Sequence, residues 1–338
     1  RTGVGPNRSP SIWIMLAGTS ELSIRYLSLL FGLLTVAFAL RLATHWFGRR
    51  AGFCAAAGMA LSPLYVTYSQ EARAYALVPL LYLWLLSVLE KLARPGDIPR
   101  RTWAALTLVE LLLLYTHFFN AVAILYANLF LLVTWTRQRR FPFSGWLASQ
   151  GIAALLFGVW VWHVSRYFDV IGLNSPADLQ DWRAHPPGLF TFIRELWVFL
   201  IGGNLKAPGH YPPLAISSAV LGGLLAVALL VLMLRQQTRH ETGTLILHSM
   251  VPLGLCFGLW QVWPQVQPRY AIVFSGALFL LIGLGIERLL FSIRPALRLL
   301  GGGVVLSLFI AFGVGLNLQY FAEAFHKDDA RAVAAYLE

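Results

Sequence analysis

The sequence predicts an all-α protein, a polytopic bundle of transmembrane helices. Three observations predict it. The 338 residues are 58% hydrophobic with a mean hydropathy of +0.66, more apolar surface than a water-soluble domain can hide. That apolar content falls into about ten apolar runs, most near the ~20 residues needed to cross a bilayer. The basic residues sit between alternate runs.

The runs are 22–40, 51–67, 76–89, 103–117, 119–135, 145–164, 213–234, 244–263, 270–286 and 299–318. Runs 51–67 and 76–89 are short and meet at a charged patch, so tilted or bent helices are expected there. Short connections join most runs, as antiparallel neighbours require. The exception is 165–212. Turn signals (Asn174-Ser175-Pro176, His185-Pro186-Pro187, Gly202-Gly203-Asn204) flank its aromatic stretch 189–200. There Phe190, Ile193 and Trp197 share one helical spacing and Phe192, Leu196 and Phe199 another, the pattern of a helix lying in the membrane interface. A loop resting on the membrane without chemistry is the competing reading. Small residues at Ala55-Ala56-Ala57-Gly58 and Gly301-Gly302-Gly303 are expected to let helices approach closely.

The net charge of +11 suggests nucleic acid until its distribution is read. Arg41, Arg49 and Arg50 share one loop, and Lys91, Arg94, Arg100 and Arg101 another. Arg137, Arg139 and Arg140 follow, then Arg235 and Arg239, then Arg288, Arg294 and Arg298. The intervening loops are nearly balanced in sign. This is the positive-inside pattern, and it places both ends of the chain outside the cytoplasm. Trp46, Trp103, Trp135, Trp146, Trp162, Trp260 and Trp263 lie near run ends, as in an aromatic belt. Cys54 and Cys256 fall inside runs and read as small packing residues.

Charged groups at span ends and inside spans are the candidates for chemistry, because burying them in lipid is costly without a use. The patch Tyr68-Ser69-Gln70-Glu71-Ala72-Arg73-Ala74-Tyr75 joins two runs. Read as continuous helix, it puts Tyr68, Glu71 and Tyr75 on one face and Gln70 and Arg73 on an adjacent stripe. Arg73 is suited to gripping phosphate with two parallel bonds. The alternative is a Glu–Arg pair anchoring a helix end. Glu110 is the one acid well inside a run. A structural partnership with Asn128 or a tyrosine is favoured there over chemistry. His117 is expected on the side of the patch, more as a hydrogen-bonded interface residue than a metal ligand. Arg269, before Tyr270, either contacts a lipid phosphate or snorkels to the headgroups. Asp169, Asp178 and Asp181 in the long loop read as solvated bystanders. Phosphate-binding Gly-rich loops, the zinc-protease helix motif and the nucleophile-elbow serine are all missing from the sequence, which disfavours an ATPase, a dehydrogenase and a lipase.

Taken with Ser62-Pro63 and the following Ala76-Leu77, the patch resembles the signature of bacterial membrane glycosyltransferases of the GT-C fold, family 39 type. These are related to dolichyl-phosphate-mannose protein mannosyltransferases and aminoarabinose transferases. Weaker matches follow in order: Gly18-Thr19-Ser20-Glu21 with Arg25, Phe47-Gly48-Arg49-Arg50-Ala51-Gly52, Thr116-His117, Arg269-Tyr270 and Asp329-Ala330-Arg331-Ala332-Val333.

The resemblance implies a GT-C-like bundle that passes a sugar from a polyprenyl-phosphate donor to a lipid, glycan or protein acceptor at the extracytoplasmic face of a bacterial inner membrane. It implies that Arg73 and Arg269 hold the donor phosphate and that Gln70, Glu71, Tyr75 and His117 line the cavity. In the family the first span and its acidic pair come earlier, so the catalytic acid is expected upstream of Arg1. The family's His-Pro-Pro element reads here as Arg8-Ser9-Pro10. Residues 1–318 are then the transmembrane domain. Residues 319–338, with Asp328 or Asp329 as a helix cap, begin a further extracytoplasmic segment. No cofactor or metal ligand is predicted, and a divalent cation is left open. The rival readings are a lipid-linked glycan transporter or flippase, disfavoured because no internal repeat is visible, and a non-catalytic assembly protein.

Overall fold

The computed structural model describes residues 18, 20–71, 73–94, 96–137, 142–166, 188–202, 212–236, 238–263 and 268–321. Among these residues the chain is twelve α-helices and three short 3-10 turns, with no strand. The helices are α1 (Glu21–Phe47), α2 (Arg49–Leu61), α3 (Pro63–Ser69), α4 (Leu77–Ala93), α5 (Arg100–Thr116), α6 (Ala121–Arg137), α7 (Phe143–Ser165), α8 (Leu189–Gly202), α9 (Pro212–Leu234), α10 (Arg239–Val262), α11 (Ile272–Leu290) and α12 (Pro295–Phe321). Eight helical segments are long and apolar enough to cross a membrane, and the chain is an integral membrane protein.

The two remaining runs depart from simple spans for local reasons. Run 103–117 becomes α5, only 17 residues long; its start at Arg100 and Arg101 lets the guanidinium groups reach out of the apolar layer. Run 51–67 divides. Proline disfavours the helical region for the residue before it, and Ser62 is extended (φ −69°, ψ 128°) with Pro63 opening α3. The ladder is interrupted there: Ser62 N–H bonds the Met59 carbonyl at 3.2 Å, Pro63 has no N–H, and α3 restarts with Val66 N–H on the Ser62 carbonyl at 3.0 Å.

The core forms where α11 crosses the α1–α2 hairpin. Gly48 makes the hairpin turn with φ +97°, a backbone region that other residues avoid. At the crossing, a Cβ added to Gly283 would lie 2.5 Å from the Ala55 backbone nitrogen. The predicted small-residue cluster at 55–58 is thus a helix contact, as membrane interfaces favour. The belt is partly corrected: Trp103 and Trp260 are buried inside the bundle, while Trp135 and Trp162 are exposed. α12 continues through Gln319 and Tyr320, past the expected boundary at 318; residues 322–338, including Asp328 and Asp329, lie outside the described residues, as do 1–17 and Asp169, Asp178 and Asp181.

Two polar clusters in the bundle interior are tied off by hydrogen bonds, while the buried Ser62 and Thr242 hydroxyls make none among the described residues. Glu110 is fully buried, and Gln150 Nε2 donates to both its carboxyl oxygens at 3.0 and 2.9 Å. The expected partner, Asn128, stands one bond further on. It donates to Gln150 Oε1 at 3.0 Å and accepts from Trp146 Nε1 at 2.8 Å. A second cluster centres on buried His248, whose Nδ1 shares a 2.5 Å hydrogen bond with the Tyr126 hydroxyl and whose carbonyl accepts from Tyr82 at 2.6 Å. Nearby, Trp46 Nε1 donates to Glu90 at 2.7 Å.

Candidate functional site

The charged patch is not continuous helix. α3 stops at Ser69, Arg73 N–H turns back onto the Glu71 carbonyl at 2.8 Å, and Arg73 is extended (φ −139°, ψ 155°) before a 3-10 turn at Ala74–Ala76. The two expected stripes therefore do not share one helix. Irregular backbone at membrane depth needs substitute partners for its peptide groups, and α1 supplies them. Ser28 Oγ donates to the Arg73 carbonyl at 3.2 Å, and Thr35 Oγ1, two turns along, shares its proton between its own helix's Phe31 carbonyl at 2.7 Å and that of Ala76 at 3.3 Å.

The break sorts the patch side chains. Tyr68 is buried and packs edge-on against Tyr75 at 5.2 Å between ring centroids. Gln70 Nε2 donates to the Tyr320 hydroxyl of α12 at 2.5 Å. Glu71 is half-buried and Arg73 exposed. Among the described residues the ion pairs are Glu90–Arg94, Glu241–Arg288 and Glu287–Arg288. Glu71 and Arg73 are thus not paired with each other, and the helix-anchoring reading of the patch loses its main contact.

His117 ends α5 in an extended conformation (φ −162°). Its Nδ1 accepts from Phe119 N–H at 3.2 Å, which leaves the other ring nitrogen to carry the proton in the neutral form. The ring lies 6.2 Å from Tyr75 and 4.7 Å from Tyr270. Tyr75, His117 and Tyr270 come from three places in the chain and form one aromatic cluster beside the patch. Glu110 is not brought to it. Arg269 lies in the 3-10 turn Pro268–Ala271; its side chain lies outside the described residues.

α8 closes this end of the bundle. Its predicted second face packs inward: Phe192 meets Trp260 at 5.3 Å and Phe199 meets Tyr68 at 5.7 Å. Phe190 and Ile193 on the first face are exposed. Gln319 of α12 fixes the arrangement, accepting from Thr67 Oγ1 at 2.9 Å and donating to the Gly202 carbonyl at 2.5 Å. Gln319, Tyr320, Ser28 and Thr35 did not stand out in the sequence. Gln319 and Tyr320 follow directly on run 299–318, and Ser28 and Thr35 are polar side chains within run 22–40.

An apolar furrow of about 320 Å³ runs between α2, α11 and α12, past Phe309 and Gly313 to Leu316. Tyr320 lies one turn beyond Leu316 on the same face of α12. The furrow therefore points along α12 towards the Tyr320–Gln70 bond.

Among the described residues only helices and short helical turns occur, with eight segments able to cross a membrane and a polar break at one end. This is a polytopic membrane protein, and likeness to a solved structure gives its fold as GT-C-like. Among solved structures it resembles ArnT from Cupriavidus metallidurans bound to undecaprenyl phosphate, at a TM-score of 0.54 and 17% identity over 91% of this chain and 52% of that one. The same protein in the apo state gives a TM-score of 0.48 and 16% identity over 91% and 63%. The chain spans about half the length of the undecaprenyl-phosphate-bound ArnT chain. No family profile matches the sequence, and no curated protein does.

Proposed function

We propose that this chain forms the donor-binding part of a membrane glycosyltransferase that takes a sugar from a polyprenyl-phosphate carrier. The observation that carries the proposal is the exposed Arg73 guanidinium, set on extended backbone at a helix break and engaged by no acid among the described residues. A polyprenyl-phosphate donor is apolar along its tail and anionic at its head. It calls for an interhelical furrow that ends at a cation able to bond two phosphate oxygens.

In this reading Arg73 is the phosphate contact and Arg269 the second. Gln70, Glu71, Tyr75 and His117 line the sugar-binding side, where phenols, an amide and an imidazole offer hydrogen bonds to hydroxyl groups. The furrow along α12 takes the first isoprene units of the tail. The ArnT structure, with undecaprenyl phosphate bound, supports this class of ligand. The positive-inside charge pattern supports an extracytoplasmic position for the patch, and the resemblance supports a bacterial inner membrane. No residue here is given the role of catalytic acid. The acceptor is a lipid, glycan or protein.

The test uses the full-length protein in vesicles, offered undecaprenyl-phosphate hexose and, separately, undecaprenyl-phosphate aminopentose, both radiolabelled. Wild-type protein is expected to move label from one donor into a new product, and folded Arg73→Ala is expected to lose that transfer. Donor crossing the bilayer with no covalent product would instead identify a transporter.

A further inference from the structure

The opposite face of the bundle, that of the basic loops, carries a site that sugar transfer does not use. A wedge of about 540 Å³ opens between the last turn of α6 and the α9–α10 turn. Arg137, Arg239 and His240 stand at its rim, and Phe130, Met233 and Leu247 form its wall. No acid lines it. The adjacent carboxylate, Glu241, is taken up by Arg288 Nη2 at 2.9 and 3.2 Å. Neither Arg137 nor Arg239 belongs to an ion pair among the described residues.

The other polar pocket on this face makes the contrast. It measures about 480 Å³ and gathers Lys91, Arg94 and Arg101, but Asp97 lies among them, and Arg94 is paired with Glu90. Its charges are largely answered within the protein. Those of the wedge are not, and like charges converging beside an apolar wall repel until an anion joins them.

We propose that the wedge binds an anionic phospholipid of the leaflet facing the basic loops, with its phosphate between Arg137 and Arg239 and an acyl chain along Phe130 and Leu247. Basic pockets between transmembrane helices bind acidic headgroups in this way, and guanidinium groups suit the phosphate. The wall selects a lipid over free phosphate: Leu247 is 42% exposed, and a soluble anion leaves it uncovered. The site is independent of the donor reading, since the patch and the wedge lie at opposite ends of the helices.

The experiment is native mass spectrometry of the full-length protein in detergent, titrated with phosphatidylglycerol, with phosphatidylcholine of the same chains, and with glycerol phosphate. Wild-type protein is expected to retain phosphatidylglycerol and release phosphatidylcholine. Arg137→Gln with Arg239→Gln should weaken retention about 30-fold, the weight of two basic residues at an anionic surface. Gly243→Leu fills the wedge without touching charge, because a side chain there meets open space; it should weaken retention by a similar factor. Arg94→Gln with Arg101→Gln should leave it unchanged. Unfolding midpoints in lipid-free detergent identify any variant that fails to fold, and the remaining variant then decides. Equal retention of phosphatidylcholine, displacement by glycerol phosphate, or wild-type retention in a folded wedge variant would overturn the proposal.

Discussion

Glu110 and Arg73 present the same puzzle in the sequence, a charged residue in apolar surroundings, and the structure answers it in opposite ways. Glu110 is sealed among α5, α6 and α7, with both carboxyl oxygens bonded to Gln150 and the chain of bonds continuing to Asn128 and Trp146. Arg73 sits where the helix is broken, its carbonyl held by the Ser28 hydroxyl of α1 and its side chain left outward. A polar group whose bonding capacity is met inside the protein holds helices together. One whose backbone is fixed while its side chain has no acid partner is ready for a ligand. The difference lies in what surrounds each residue, which spacing along the chain does not report.

The comparison breaks if either residue behaves like the other. The largest expected effect is on the donor: Arg73→Ala removes a charge-assisted, two-pronged contact of roughly 1.5–3 kcal/mol. Undecaprenyl phosphate binding should weaken by about 10- to 100-fold, with an unchanged unfolding midpoint in detergent. Gln150→Leu should do the reverse, stranding the Glu110 carboxyl at a cost of about 1–3 kcal/mol. Thermal unfolding reports that loss, while donor affinity per folded molecule stays at the wild-type value. Gly283→Val, which drives a side chain into Ala55, tests the scaffold further and should cost about 1–3 kcal/mol from overpacking. The smallest effect is expected from Tyr320→Phe. It removes the acceptor of the Gln70 bond, about 0.5–1.5 kcal/mol, and should weaken donor binding only a few-fold by loosening the patch.

Much of the fold was legible because lipid imposes a coarse rule: length and apolarity select spans, and alternating charge orders them. The aromatic stretch 189–200 was legible as a helix from its two stripes, and α8 forms there. The patch was legible as a site but not as a shape. Its residues carry helical spacing, and the break after Ser69 depends on Ser28 and Thr35, more than 30 residues away in sequence. The partner of Glu110 was missed for a related reason. Gln150 lies in a different run, and only helix packing chooses between it and Asn128. Trp103 and Trp260 were assigned to the belt because position along a run does not reveal which side of the helix faces lipid.

The central claim is that Arg73 holds the phosphate of a lipid carrier, and phosphate selectivity tests it most directly. Affinity for undecaprenyl phosphate and for undecaprenol, which lacks the phosphate, should be measured on the full-length protein and on Arg73→Ala. The account predicts that wild-type protein prefers the phosphorylated lipid and that Arg73→Ala, while still folding, loses most of that preference and keeps only the part due to Arg269. A folded Arg73→Ala protein that keeps the full preference would contradict it.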